Sequence, residues 1–230
     1  MNQSDLEQLI IAAELLRPLL GELVFVGGTV TGLLITDEAA GYPRTTFDVD
    51  AIAEITSYAE YVTFGDRLRA LGFSEDNREG APLCRWVHPG VILDVMPLDG
   101  AILGFSNRWY RGAMEAAVTQ RISADLELRI VTAPFFIATK LEAFKGRGLG
   151  DFLGSKDLED LVSVIDGRPS LLAEVRTAPD ELRDYIRTEV KGLLETPGFQ
   201  DALPGCLLPD AASQSRIRIV LDRLHGLVSS

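Results

Sequence analysis

Asp48 and Asp50 are two carboxylates separated by a single residue in an otherwise apolar stretch, Phe47-Asp-Val-Asp-Ala-Ile52. At positions i and i+2 of a β-strand, both side chains project from the same face, so their negative charges lie side by side. Like charges repel, and burying them without a partner is costly, so the pair needs a cation. A third acid, Asp94, interrupts the apolar run Val91-Ile-Leu-Asp-Val-Met96, which is typical of a buried strand. The sequence therefore predicts a three-carboxylate site for a divalent metal, Mg²⁺ or Mn²⁺.

A second feature, Gly27-Gly28-Thr29, directly follows the apolar run Leu23-Val-Phe-Val26. The run predicts a buried strand, and the residues from Thr29 to about Ile35 predict a helix. Backbone N–H groups and the Thr29 hydroxyl would then meet at a helix N-terminus, which favours the binding of phosphate. Paired glycines also mark tight turns and close backbone approaches, so the sequence leaves both interpretations open.

The elements that must position these residues follow from hydrophobic periodicity and turn residues. An amphipathic first helix is predicted to end by Gly21. A helix is expected over residues 57–70, and two strands, 82–88 and 91–97, are expected to be joined at Pro89-Gly90. A smaller hairpin is predicted from residues 117–122 and 127–132. Beyond Pro134 the pattern is helical, with helices predicted at 134–146, 155–166, 179–195 and 213–228 and a flexible connector at 146–150.

In this order, Gly27-Gly-Thr, Asp48-x-Asp50 and a later strand acid at Asp94 resemble the signature of the DNA polymerase beta-like nucleotidyltransferase superfamily. The stretch that begins at Phe25 and the segment Arg44-Thr-Thr-Phe-Asp-Val-Asp are more similar to the AbiEii-type nucleotidyltransferases of bacterial toxin-antitoxin systems. Downstream, Lys140-Leu-Glu-Ala-Phe and Lys156-Asp157-Leu-Glu-Asp-Leu resemble that family's lysine motif and its closing aspartate motif. The resemblance covers roughly residues 20 to 165 and leaves the last sixty or so unassigned.

The resemblance implies a role for each matching residue. Asp48 and Asp50 would bridge two metals, and Asp94 would hold the metal nearer the acceptor and help to deprotonate the acceptor hydroxyl. The triphosphate would be bound by Gly27, Gly28, Thr29 and Lys140.

Two of these roles have simpler alternatives. Lys140 is either a triphosphate contact or a surface lysine whose stem lies along the protein. Asp157 and Asp160 share a helix face, so they either orient Lys140 or cap and solubilise the start of their helix. The loop between Lys140 and Asp157 is rich in glycine and carries an extra acid, Asp151, which departs from the family pattern.

Composition sets the class of protein. With 230 residues, 47% of them hydrophobic and 24% charged, the chain can bury a full core. We expect an α+β fold: a mixed-sheet nucleotidyltransferase-like catalytic domain over residues 1–132, and an all-α bundle over 133–230 that closes the active-site cleft. No apolar run has the length of a membrane span, and the N-terminus lacks a basic start, so a cytoplasmic protein without membrane attachment is expected. Cys84 and Cys206 are expected to be free thiols, buried or half-buried.

The net charge of −12 argues against a surface that binds nucleic acid over its whole extent. Residues 105–150 are the exception, with seven basic and four acidic side chains. These basic residues are expected either to face triphosphate or an acceptor RNA, or to be ordinary solvated charges. They are Arg108, Arg111, Arg121, Arg129, Lys140, Lys145 and Arg147.

Three functions fit the sequence. The first is a magnesium-dependent nucleotidyltransferase that moves NMP from an NTP to a hydroxyl of RNA, such as tRNA, or of protein, as the toxin partner of an antitoxin protein. The second is a small-molecule enzyme similar to the aminoglycoside nucleotidyltransferases, for which an acidic surface suits a polycationic substrate. The third is a non-catalytic module that binds a nucleotide or a partner.

Overall fold

The protein is described here from a computed structural model, which covers residues 3–147 and 150–229. It contains a seven-stranded mixed sheet and a helical C-terminal region, an α+β fold as predicted. The strands are β1 (Leu23–Val26), β2 (Asp48–Ala53), β3 (Ser74–Glu75), β4 (Arg85–His88), β5 (Val91–Pro97), β6 (Val118–Arg121) and β7 (Glu127–Ile130). The α-helices are α1 (Gln3–Leu15), α2 (Gly27–Leu34), α3 (Tyr58–Ala70), α4 (Tyr110–Glu115), α5 (Ala133–Arg147), α6 (Lys156–Gly167), α7 (Leu171–Arg176), α8 (Asp180–Leu194), α9 (Pro197–Ala202), α10 (Ala211–Ser215) and α11 (Ile217–Val228).

The chain divides into two compact units. One, the sheet unit, comprises residues 3–30 and 45–132, and the other, the helical unit, comprises residues 31–44 and 133–229. One boundary between the units lies at Thr132 and Ala133, and α5 begins there with Pro134 at its second position, where proline is well tolerated. Residues 31–44 join the helical unit, which the sequence did not indicate.

In the sheet unit the strand order is β3-β4-β5-β2-β1-β7-β6. β2 pairs in parallel with β5 and antiparallel with β1, so the predicted Asp-x-Asp strand is central in the sheet. All four residues of β1 are buried, whereas β2 alternates at its start between half-buried Asp48 and Asp50 and buried Val49 and Ala51. One face of β2 therefore packs into the core and the other presents the two carboxylates. Phe47, just before the strand, is 70% exposed and does not pack in the core, although the sequence places it in the same apolar stretch.

In the helical unit, α5 packs against α6 and α8, and α11 packs against α6 and α8. The C-terminal end of α6 fastens residues 31–44 to this unit: the backbone N–H groups of Thr36 and Asp37 donate to the carbonyl of Gly167 at 2.8 and 2.9 Å. Arg216, which is buried, donates to the carboxylates of Asp37 and Asp166 at 2.6 and 2.8 Å. The last sixty residues thus supply a buried arginine that holds the segment leading into the Asp48 strand.

Most predicted elements are confirmed within a few residues, and the exceptions have local causes. The first helix ends at Leu15, before the predicted Gly21, because Pro18 follows and the chain continues as a 3₁₀ helix over Arg17–Glu22. The predicted connector at 146–150 begins too early, since α5 continues through Arg147, and residues 148 and 149 lie outside the described part. The predicted helix 213–228 is divided at Arg216 into α10 and α11, and the short elements β3, α4, α7 and α9 were not predicted. No helix in residues 3–147 and 150–229 is both long and apolar enough to cross a membrane.

Candidate functional site

The three predicted carboxylates lie on one face of the sheet. Asp50 pairs with Asp94 in the parallel register of β2 and β5, and Asp48 lies two residues before Asp50 on the same strand. Residues opposite each other on neighbouring strands share a face, so the fold brings together the three acids that the sequence singled out. We call Asp48, Asp50 and Asp94 the carboxylate face. The side chain of Asp94 is more enclosed than that of Asp48, at 10% exposed against 36%.

Arg85 neutralises part of this face, a contact that sequence reasoning missed. Its Nε and Nη2 donate to the two oxygens of Asp94 at 2.8 and 2.7 Å, and Nη2 also donates to Oδ2 of Asp48 at 2.9 Å. Hydrogen bonding to Asp94 raises the pKa of Arg85 above its ordinary value, so the guanidinium stays charged at any working pH. The strands that carry the acids, β2 and β5, contain no Lys or Arg, and the neutralising charge comes from the neighbouring strand β4.

Thr46 orients Asp48 from the other side. Its hydroxyl donates to Oδ1 of Asp48 at 2.9 Å, while its backbone N–H donates to the buried carboxylate of Asp5 at 3.3 Å. Thr46 is itself buried. Both oxygens of Asp48 are thus hydrogen-bonded, one to the loop residue Thr46 and one to Arg85 on β4, which together fix its rotamer.

Gly27 brings the backbone against Asp50. Its φ is +70°, which favours glycine, and a Cβ added there would lie 1.9 Å from Oδ2 of Asp50. The structure thus supports the close-approach interpretation of this glycine. The start of α2 lies directly beside a carboxylate, and Gly28, the next residue, is buried.

No family model matches this chain, and no curated protein matches its sequence. The likeness to nucleotidyltransferases therefore depends on the motif residues alone.

The donor chemistry of the carboxylate face suits a divalent metal only in part. Aspartate oxygens are the ligands that Mg²⁺ and Mn²⁺ prefer, and Asp48 and Asp50 project together from one strand. Asp94 is held at both oxygens by Arg85. Within residues 3–147 and 150–229, no group of three or more His, Cys, Asp or Glu side chains is arranged to hold a metal ion. Asp48 and Asp50 remain the candidate ligands, and a metal bound to Asp48 would meet oxygens that already accept from Thr46 and Arg85.

The side chain of Thr29 is fully buried near the start of α2. Among the described residues, its hydroxyl oxygen has no hydrogen-bond partner. A buried hydroxyl without a partner is costly to the fold, which makes it a candidate for a ligand contact. Direct contact with a phosphate requires this hydroxyl to become accessible.

Replacing Thr29 with valine should therefore weaken nucleotide binding without destabilising the fold. We expect Thr29→Val to keep or raise the free energy of unfolding, by up to about 1 kcal/mol, because it removes an unsatisfied polar atom. Affinity for a magnesium nucleoside triphosphate should fall roughly threefold to tenfold, the value of one hydrogen bond. Urea unfolding and calorimetry measure the two quantities. Thr31→Val, on the same helix, is the matched control, and an unchanged dissociation constant in Thr29→Val would assign Thr29 to the core alone.

In the helical unit, Lys140 is surrounded by carboxylates. Its Nζ donates to Oδ2 of Asp160 at 2.6 Å and to Oδ1 of Asp157 at 3.2 Å. Lys140 is only 7% exposed, which rules out the surface-lysine interpretation. Arg44 also donates to Oδ2 of Asp160, at 2.9 Å, and Arg147 binds both oxygens of Asp157 at 2.9 Å. We call these five residues the lysine cluster.

The lysine cluster decides between the two interpretations of the α6 acids. The helix is capped by Ser155, whose hydroxyl accepts from the N–H of Leu158, so neither Asp157 nor Asp160 is needed as the cap. Asp160 is 1% exposed and does not solubilise the helix. Both acids contact Lys140, as the orienting interpretation requires. Burial by itself would raise the pKa of Asp157, but the hydrogen bonds from Arg147 and the charge of Lys140 hold that pKa below its ordinary value.

Most of the basic residues between 105 and 150 have partners inside the protein. Arg121 pairs with Glu127, Lys145 with Glu189, and Arg129 donates to the carbonyls of Gly21 and Met114. Lys140 and Arg147 belong to the lysine cluster, and the guanidinium of Arg108 lies 4.9 Å from the ring centre of Trp109. The predicted basic surface for RNA is therefore much smaller than the charge count indicates.

Both cysteines are free thiols, as expected. Burial raises the pKa of Cys84 to about 12 and that of Cys206 to about 11. Neither thiol is ionised near neutral pH, so neither is suited to act as a nucleophile.

Proposed function

We propose that this chain is a metal-dependent nucleotidyltransferase that moves NMP from an NTP to an acceptor hydroxyl. One observation carries the proposal: Asp48 and Asp50 share the face of a central strand directly beside the start of α2, at Gly27. Transfer of a nucleotidyl group needs carboxylates that hold a metal and donors that bind phosphate, such as backbone N–H groups. The order of the motifs along the chain supports the same reaction.

In this proposal Asp48 and Asp50 hold Mg²⁺ or Mn²⁺, which would neutralise charge that develops on the α-phosphate and on the leaving pyrophosphate. Thr46 holds Asp48 in one rotamer, which reduces the side-chain entropy that Asp48 would lose when the substrate binds. Gly27 gives Asp50 room that any side chain would take. The N–H groups at the start of α2 bind the β- and γ-phosphates.

Lys140 is proposed as a point charge for the triphosphate, with Asp157 and Asp160 as the residues that position it. The two carboxylates outnumber the one ammonium, and Arg44 and Arg147 add two positive charges, so the lysine cluster as a whole carries one net positive charge. Asp94 is proposed to accept the proton of the acceptor hydroxyl, a role that requires its release from Arg85.

The acceptor is proposed to be RNA, such as tRNA, or a protein, with the chain acting as a toxin that a cognate antitoxin neutralises. A small polycationic acceptor, similar to an aminoglycoside, is the second candidate. The internal pairing of most basic residues between 105 and 150, together with the net charge of −12, favours this second class.

Incubation with α-radiolabelled NTPs tests the acceptor class. For an RNA acceptor, we expect labelling of total tRNA that falls steeply as salt rises from about 50 to about 200 mM, because the counterion release that favours binding contributes less at higher salt. Arg111→Glu, at an exposed position, should lower RNA labelling more than NTP affinity, whereas the control Lys191→Glu in α8 should leave both unchanged. Labelling of an aminoglycoside with none of RNA or protein would establish the small-molecule acceptor. A chain that binds NTP and labels nothing would be a binding module.

A further inference from the structure

Arg85 occupies the part of the carboxylate face where the sequence predicts a metal. Its register partner across the β4–β5 hairpin is Asp94, so the guanidinium and the acid lie on the same face of adjacent strands. The side chain of Arg85 is only 20% exposed. It makes two hydrogen bonds to Asp94 and one to Asp48, all between 2.7 and 2.9 Å. The contact is therefore a largely enclosed, two-pronged ion pair.

This ion pair uses the same oxygens that a metal would use. Both oxygens of Asp94 accept from Arg85, and Asp48 accepts from Arg85 at Oδ2 and from Thr46 at Oδ1. A guanidinium matches a carboxylate in shape and remains charged. A divalent ion that binds Asp48 and Asp94 would therefore have to share oxygens that already accept hydrogen bonds. It would also be repelled by the positive charge of Arg85.

We propose that Arg85 is an internal cation that competes with the divalent metal for Asp48 and Asp94. It neutralises the carboxylate face in the absence of metal and lowers metal affinity. It also keeps Asp94 out of metal coordination until the guanidinium moves away. This inference rests on the proposed function, because it assigns the metal to the same carboxylate face. Arg85 is then a positioning residue that sets how readily the site is loaded.

Titration of the whole chain with Mn²⁺ in the absence of nucleotide tests the competition. We expect Arg85→Met, which keeps the apolar stem and removes the charge, to bind Mn²⁺ roughly tenfold more tightly than the wild type. Its melting temperature without metal should fall, because two acids lose their counter-charge, and Mn²⁺ should raise it by more than in the wild type. Arg67→Met is the matched control, since Arg67 makes a two-pronged pair with Glu22 on the same unit. Its Mn²⁺ affinity should be unchanged.

Arg85→Lys covers the case in which Arg85→Met does not fold. Lysine keeps the charge but cannot form the two-pronged pair, so Mn²⁺ affinity should rise a few-fold above that of the wild type. Mn²⁺ affinity that is equal to or below the wild-type value in the folded variants would overturn the proposal.

Asp48→Asn with Asp50→Asn separates this inference from the proposed function. If the double change abolishes Mn²⁺ binding while Arg85→Met binds Mn²⁺ as the wild type does, only the role of Arg85 is lost. If neither the wild type nor Arg85→Met binds Mn²⁺, both proposals fail.

Discussion

Asp48→Asn combined with Asp50→Asn should lower the rate of nucleotidyl transfer by a factor on the order of a thousand or more, since each metal-assisted charge stabilisation contributes several kcal/mol to the barrier. An amide is a poorer metal ligand than a carboxylate and carries no charge, so the face loses both of the acids that fit a metal. Single-turnover transfer from a radiolabelled NTP, with calorimetry of Mn²⁺ binding, measures the effect.

The control for this double change is Asp66→Asn, on α3, whose carboxylate is 70% exposed and pairs with Arg69. It should transfer label at the wild-type rate. The sequence by itself predicts that the double change also stabilises the metal-free protein, by removing like-charge repulsion. The structure reverses that expectation, because Asp48 already pairs with Arg85 and Thr46, and the change removes these contacts. Retention of Mn²⁺ binding and of transfer in the double variant would remove the carboxylate face from the mechanism.

Lys140→Met should have the largest effect on stability, a loss of about 3 kcal/mol or more of unfolding free energy, because it removes the buried ammonium that donates to two enclosed carboxylates. Asp157 and Asp160 would retain Arg147 and Arg44 but lose the ammonium between them. Urea unfolding at neutral pH measures the loss. Lys145→Met, which breaks an exposed pair with Glu189, should change stability by less than about 1 kcal/mol.

The pH dependence of this loss has a defined sign. The pKa of Asp157 is held below its ordinary value in the folded protein, so its contribution to stability is present above about pH 4 and is lost as the pH falls through the folded pKa. The difference between wild type and Lys140→Met should therefore shrink in acid. A difference that grows as the pH falls would contradict the assigned ion pair.

A second substitution distinguishes the effect of Lys140→Met on stability from its effect on transfer activity. Adding Asp160→Asn removes the most enclosed charge of the lysine cluster, so Lys140→Met with Asp160→Asn should recover part of the stability. Transfer activity should stay low if Lys140 contacts the triphosphate. Recovery of both together would make Lys140 a structural residue only.

The sequence by itself determined the elements and the identity of the acids on the carboxylate face. Apolar and acidic residues alternate around Asp48 and Asp50. Because the side chains of a strand point to opposite faces in turn, the two acids share one face. The sequence also determines the pairing of Arg85 with Asp94. A two-residue turn at Pro89-Gly90 pairs His88 with Val91, and three residues further from the turn on each strand Arg85 pairs with Asp94. The single arginine in the predicted strand 82–88 is the sequence signal for this contact.

Only the tertiary structure decided which residues contact the acids from distant parts of the chain. The contact of Arg85 with Asp48 depends on β5 lying between β4 and β2, and a parallel neighbour joined by a long connection cannot be read from local periodicity. The pairing of Arg44 with Asp160 spans 116 residues and depends on where residues 31–44 pack. Local patterns specify elements because they act over a few residues. The partners of buried charges depend on which elements pack together, since a charge that leaves water must be paired by whatever the fold places beside it.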